Sequence, residues 1–264
     1  MPSAYKASQR KNLSDGRFDS YLWILPLLLF FVLWEALAQL AVIPSNKVPS
    51  FSKVVIALCS CATQIDFLHK VFQSFANLTA GIFLAFSIAL PLALFAGLRN
   101  KFDKALTPLV MLVGSLPDLA ILPLVVVWFG PGNAAAIGMA TVCAFFPIYF
   151  TVREGTKEIP LDYFHVTTIF GSTKFDMFKK MMFPVIFPFM ITGLRISYDF
   201  VWEVILAIEI IARVTGIGTF VDVAVAAGSI EYAFAGIMAV GIIALAVDRV
   251  VFGALEGWIR RWKE

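Results

Sequence analysis

Apolar residues run through this chain in long unbroken blocks rather than at alternating or heptad positions. The blocks fall at 21–43, 74–98, 105–129, 134–152, 185–212 and 233–257. A helix needs roughly 20 apolar residues to cross a hydrocarbon core about 30 Å thick, so each block reads as a span. Backbone groups in lipid must find partners within their own segment, which predicts helices. A β-barrel would alternate apolar and polar positions, and these runs do not. The expected fold is therefore all-α, a polytopic membrane protein with six transmembrane helices. The fifth block is the least uniform, because Arg195, Asp199, Glu203 and Glu209 lie inside it.

Composition agrees with lipid as the solvent. Of 264 residues, 60% are hydrophobic and 15% charged, with a mean hydropathy of +0.86. A soluble domain has about 45–50% apolar and about 25% charged residues. Lys and Arg then set orientation. Lys6, Arg10, Lys11 and Arg17 precede the first span, and Arg99, Lys101 and Lys104 follow the second. Arg153, Lys157, Lys174, Lys179 and Lys180 lie between the fourth and fifth, and Arg260, Arg261 and Lys263 close the chain. The opposite side has only Lys47, Lys53, Lys70 and Arg213. The excess places both termini in the cytoplasm. The chain thus divides into a basic tail 1–20, a first span 21–43, an outside loop 44–73, a core 74–257 and a basic tail 258–264. The first span is too long for a signal peptide and has no small-residue cleavage site, so it is expected to stay. The net charge of +3 reflects this topology and suggests no nucleic-acid partner.

One polar interruption stands out, at 153–184 within the core. Pro160 suits a helix start, and Leu161, Tyr163, Phe164, Val166, Thr168 and Phe170 form a short helix with little polar surface. Gly171 can take the left-handed conformation that ends it. Ser172 or Thr173 then caps a second helix with Asp176 in its first turn. Phe175, Phe178 and Met182 recur at helical spacing while Lys174, Lys179 and Lys180 face elsewhere. Pro184 is expected to close this unit before the fifth span. Such an aromatic patch suits docking of a soluble partner; an amphipathic hairpin lying on lipid is the alternative.

Other chemistry is sparse. Cys59 and Cys61 are too close for an unstrained bridge, and Cys143 falls within a span. His69 and His165 are too isolated to suggest a metal site. No phosphate-binding glycine loop, nucleophile elbow or zinc-protease helix occurs, so no catalytic residue or metal ligand is assigned. ATP-driven work would require a separate subunit.

The spacing of His165-Val166-Thr167, Gly171 and Met181-Met182-Phe183-Pro184 resembles the EAA loop of type I ABC-importer permeases. Gly193-Leu194-Arg195, Glu209 with Gly216-Ile217-Gly218, and Val48-Pro49-Ser50 are further matches. Leu116-Pro117 and Leu122-Pro123 through Trp128-Phe129-Gly130 are similar to the nitrate/sulfonate/taurine/bicarbonate branch. The likeness covers roughly 44–263, with His165, Val166 and Thr167 replacing the usual acid and two alanines. It implies a cytoplasmic coupling-helix pair in which His165, Val166, Thr167, Gly171, Ser172, Phe175, Phe178 and Pro184 meet the ATPase. It also implies a homodimeric permease, a dimer of ATP-binding subunits holding ATP and Mg, and an extracytoplasmic solute-binding protein in the bacterial inner membrane system.

On the fifth span Arg195, Asp199 and Glu203 follow at i, i+4, i+8 and so share a face. Charge at bilayer depth is normally paired or faces water. Arg195 neutralising Asp199 gives a structural ladder. Alternatively Tyr198, Asp199, Trp202 and Glu203, with Pro117, line a translocation path. Glu209 is expected to bond the Gly216–Gly218 turn. Acidic lining suits a cationic or zwitterionic solute better than a bare anion, and the branch is also similar to carriers of thiamine-pyrimidine precursors. Two other classes remain. An ion-coupled secondary transporter would use Asp199 and Glu203; a membrane enzyme would have only Asp162 and His165.

Overall fold

The computed structural model describes residues 24–40, 44, 47–160, 162–163, 171 and 173–263. Among these residues every regular element is a helix. In chain order they are α1 (Ile24–Gln39), α2 (Phe51–Ala62), α3 (Ile65–Leu98), α4 (Asn100–Gly114), α5 (Asp118–Phe129) and α6 (Asn133–Lys157). There follow α7 (Lys174–Met177), α8 (Phe183–Ile211), α9 (Ile217–Ala226), α10 (Ile230–Val247) and α11 (Gly253–Lys263). Three continuous helical stretches, Ile65–Leu98, Asn133–Lys157 and Ile230–Ile259, are long and apolar enough to cross a membrane. The α4–α5 pair adds a fourth if the two count as one bent span. The 29-residue α8 has the length, but Arg195, Asp199, Glu203 and Glu209 lower its apolarity.

The core is built on α6, which packs against α3 on one side and α8 on the other. Small residues set these contacts. Gly81, Ala85, Ala89 and Ala93 recur every fourth residue along α3 and meet Ala136, Ala140, Cys143 and Ala144 of α6. A Cβ at Gly81 would sit 2.3 Å from the Ala140 Cβ. On the other flank a Cβ at Gly193 of α8 would sit 2.2 Å from Thr151 Oγ1 of α6. Ser197 Oγ also donates to the Ala144 carbonyl, at 2.9 Å. Lipid tails are as apolar as leucine, so helices associate in membranes through close van der Waals fit and interhelical hydrogen bonds. The alanine and glycine stripes supply the first and Ser197 the second.

Several elements differ from the sequence-based expectation. The block 105–129 is not one rod: α4 and α5 meet at 95° across Ser115–Pro117. Pro117 has no N–H and drives Leu116 out of the α region, while Ser115 Oγ caps the Leu112 carbonyl at 2.8 Å. The segment 44–73, expected as an outside loop, holds α2 and the first turns of α3. Val54, Ala57 and Cys61 of α2 are buried at i, i+3, i+7 against α10 and its neighbours. Glu35 of α1 accepts from the Ser52 N–H at 3.0 Å and the Ser52 hydroxyl at 2.9 Å, pinning the start of α2.

Pro184 does not close a separate helix. α7 runs through a π-turn, Phe178–Met182, directly into α8. Pro184 lies in the first turn of α8, and Phe183 N–H bonds back to Phe178 O. The wider π-turn accommodates a residue that cannot donate within the α ladder. A second π-turn, Asp248–Phe252, joins α10 to α11.

Candidate functional site

The segment read as a docking unit is described in part. His165, Val166, Thr167 and Ser172 lie outside the described residues. Gly171 has φ +66°, the left-handed region, with open space where a Cβ would project. Thr173 is the cap of α7: its Oγ1 accepts from the Asp176 N–H at 3.1 Å and donates to Asp176 Oδ2 at 2.6 Å. Asp176 also pairs with Lys180 one turn on, at 2.8 Å. That ammonium, with the Thr173 hydroxyl, holds the Asp176 carboxyl below its ordinary range. Phe175 is 71% exposed and Phe178 39%, whereas Met182 is buried. The aromatic face is thus presented at α7 and withdrawn into the bundle one turn later.

On α8 the predicted set separates. Asp199 and Glu203, near the middle of this 29-residue helix, are exposed. Tyr198 and Trp202 are buried, their ring centroids 6.1 Å apart, with Tyr198 packed on Phe252 of the second π-turn. A helix turns about 100° per residue, so one pair faces inward and the other outward. Tyr198 and Trp202 therefore belong to the core and not to the exposed acidic face.

Of the two alternatives for this face, the ladder of Arg195 with Asp199 is not the pairing found. Arg195 binds Asp248 across the bundle, Nε to Oδ1 at 2.6 Å and Nη2 to Oδ2 at 2.9 Å, and pairs with Glu256 of α11. The two-pronged guanidinium fits a carboxylate across a helix interface better than one stacked on its own helix. Asp199 is left on the outer face with Glu203.

A third carboxylate joins them that the sequence reading did not single out. Asp118, the first residue of α5, lies against Cys143 Sγ and within electrostatic range of Glu203. Pro117, the predicted pathway proline, is the exposed residue just before it, with φ −61° and ψ 125°. The signal for Asp118 was an acid following Leu-Pro inside an apolar block, legible only once the block is known to break there. A charge at the centre of a membrane helix costs about 2.5–3.5 kcal/mol on insertion scales and normally faces protein or water. Lipid alone is a poor cover for this face.

Glu209 closes the other end of α8. It is fully buried and accepts from the Gly218 N–H at 2.7 Å. A Cβ at Gly216 would sit 2.1 Å from its Oε1, so the turn needs glycine for space. Gly216 itself is extended at φ 177°. Ser74 of α3 lies beside the carboxyl and accepts from the Ile217 N–H at 2.8 Å.

Residues 89–263 match the family described as binding-protein-dependent transport system inner membrane component. The chain belongs to that family. This permease is similar to the bicarbonate transport system permease protein CmpB of Synechococcus elongatus, 29% identical over 194 residues. That match covers 72% of this chain and 68% of the relative. It is also similar to the taurine transport system permease protein TauC of Escherichia coli, 26% identical over 227 residues, covering 84% and 82%. Its fold resembles a chain of the MetNI methionine ABC transporter in an inward-facing conformation, with a TM-score of 0.61 at 19% identity. That match covers 76% of this chain and 97% of the other. The permease is thus a multi-pass inner-membrane component of binding-protein-dependent transport, with the type I importer fold.

Proposed function

We propose that this permease imports a small solute as one of two identical copies, driven by cytoplasmic subunits that bind ATP and Mg. The observation that carries the reading is the segment 173–178, next to the left-handed Gly171. It is a capped, ion-paired turn with exposed phenylalanines, continuous through the first π-turn with a helix that crosses the bundle. A stiff connection of this kind passes a displacement on, where a loose loop would absorb it. Both termini and this segment lie in the cytoplasm by the distribution of Lys and Arg, and a solute-binding protein delivers cargo to the opposite side.

The face of Asp118, Asp199 and Glu203 lines the path between the two copies, which gives these carboxylates the water or protein cover that lipid withholds. Relatives are named for bicarbonate and for taurine. Three acids on the path favour the second chemistry, a solute that carries an ammonium or other cationic group beside its acid. Docking is tested by Gly171→Pro. Proline is locked near φ −65° and cannot adopt +66°. The variant is expected to insert in the membrane but to lose co-purification with its ATPase. Full retention of the ATPase would refute the docking assignment.

A further inference from the structure

One buried ion cluster touches neither the acidic face nor the exposed phenylalanines at α7. On α4 only Asp103, Thr107 and Val110 are buried, at i, i+4, i+7, while Leu109, Met111, Leu112 and Val113 are exposed. This stripe, with the partly buried Leu106 beside it, holds α4 to the bundle, and two of its three members are polar. Asp103 accepts from Arg153 at both oxygens, with Nη2 to Oδ2 at 2.8 Å, and from Lys157 Nζ at 2.6 Å. Thr107 Oγ1 donates to Asp103 Oδ1 at 2.6 Å and lies 2.9 Å from the Tyr149 hydroxyl. Tyr149, Arg153 and Lys157 stand at i, i+4, i+8 on α6. Moving four residues up α4 therefore moves four residues down α6, and the two helices are zipped antiparallel by side-chain donors and acceptors. The Asp103 side chain is 8% exposed and that of Arg153 11%.

We propose that Asp103 is a positioning residue that ties the cytoplasmic end of α6 to the broken third span. Lys157 is the last residue of α6, and with Arg153 it lies in the polar interruption 153–184 that carries the docking residues further along the chain. At its far end α4 runs into the Ser115–Pro117 break and Asp118. The apolar outer face of α4 is equally content against lipid at any register, so it resists no sliding. A carboxylate gripped by three donors resists small displacements, because those bonds weaken steeply with distance and angle. Movement received by the docking segment is therefore delivered to the break that carries Asp118, instead of being lost as slip between α4 and α6. This rests on the coupling reading given under Proposed function.

The test uses the assembled transporter in proteoliposomes, with Leu116→Cys as reporter; Leu116 is 50% exposed at the break. Maleimide labelling of that cysteine is read on its own peptide by mass spectrometry, with and without Mg-ATP and vanadate. With Asp103 intact, nucleotide trapping is expected to change the labelling rate. With Asp103→Asn the change is expected to be lost although the ATPase still co-purifies and traps nucleotide. Lys157→Gln, which leaves the Arg153 pair in place, is expected to reduce the change in part. An Asp103→Asn complex that traps nucleotide and keeps the full labelling change overturns the proposal. So does a reporter that never responds to trapping when Asp103 is intact. If Asp103→Asn fails to assemble while Lys157→Gln responds fully, the cluster serves folding only and the proposal falls. Failure of the unsubstituted permease to hold its ATPase would instead refute the coupling reading itself.

Discussion

The α3–α6 seam gives the sharpest test of how this bundle is held together. Gly81→Ala adds one methyl group whose carbon would lie 2.3 Å from the Ala140 Cβ, where ordinary contacts begin at 3.4 Å. The same carbon would lie 3.0 Å from the Ile137 carbonyl oxygen and 3.1 Å from the Thr141 nitrogen. No rotamer change relieves contacts with backbone, so the two helices must separate by more than an ångström or tilt. Overpacking of this kind costs about 1–3 kcal/mol, and rigid neighbours favour the upper half of that range. The exchange Gly81→Ala with Ala140→Gly keeps composition and helix propensity constant while removing the worst contact. It leaves only backbone contacts that are tight by a few tenths of an ångström. The double variant should therefore recover at least about 1 kcal/mol relative to Gly81→Ala, a coupling typical of residues in direct contact. Equilibrium unfolding in mixed micelles by detergent titration, followed by far-ultraviolet circular dichroism, measures both. A Gly81→Ala protein as stable as its parent, or a double variant no better than the single, would refute the close-packed seam.

Two further substitutions probe charged residues of α8. Glu209→Ala should cost about 2–4 kcal/mol, because it opens a cavity and orphans the buried Gly218 N–H. Glu209→Gln, which keeps an acceptor of the same shape, should cost clearly less in the same titration. Equal losses would mean that the turn does not depend on that hydrogen bond. Arg195→Met leaves Asp248 and Glu256 without their shared cation. With these side chains partly exposed, the loss is expected to be about 1–2 kcal/mol rather than the full cost of a buried pair. Adding Asp248→Asn should recover part of it, and a double variant that is less stable still would show that the clamp is not electrostatic.

The all-α membrane fold was legible because long apolar runs and charge asymmetry are properties of the chain itself. The fourth and fifth blocks became α6 and α8 within a few residues at their starts. What escaped depended on events between segments. The 95° break needed Leu116 and Pro117 to outweigh an otherwise continuous apolar run. The helix α2 carries its signal in Val54, Ala57 and Cys61 at i, i+3, i+7, but twelve residues with serines and a lysine resemble a loop when the search is for spans. Arg195 had an acid one turn away on its own helix and another two turns away; only packing reveals that the second π-turn and α11 offer better partners. Asp199 and Glu203 were identifiable as charges in an apolar helix, whereas Asp118 gains meaning only through its place beside Glu203.

The central claim is that a separate ATPase drives solute through a path formed by this permease. Proteoliposomes containing the permease, its ATPase and its solute-binding protein, with taurine as the first cargo offered to the binding protein, allow a direct measurement. Binding-protein-stimulated ATP hydrolysis and uptake are followed together in the presence and absence of an imposed proton or sodium gradient. The account predicts that uptake requires ATP, is unaffected by collapsing either gradient, and is lost with Gly171→Pro. Uptake that follows the ion gradient without ATP, and that Asp199→Asn or Glu203→Gln abolishes while Gly171→Pro does not, would contradict it.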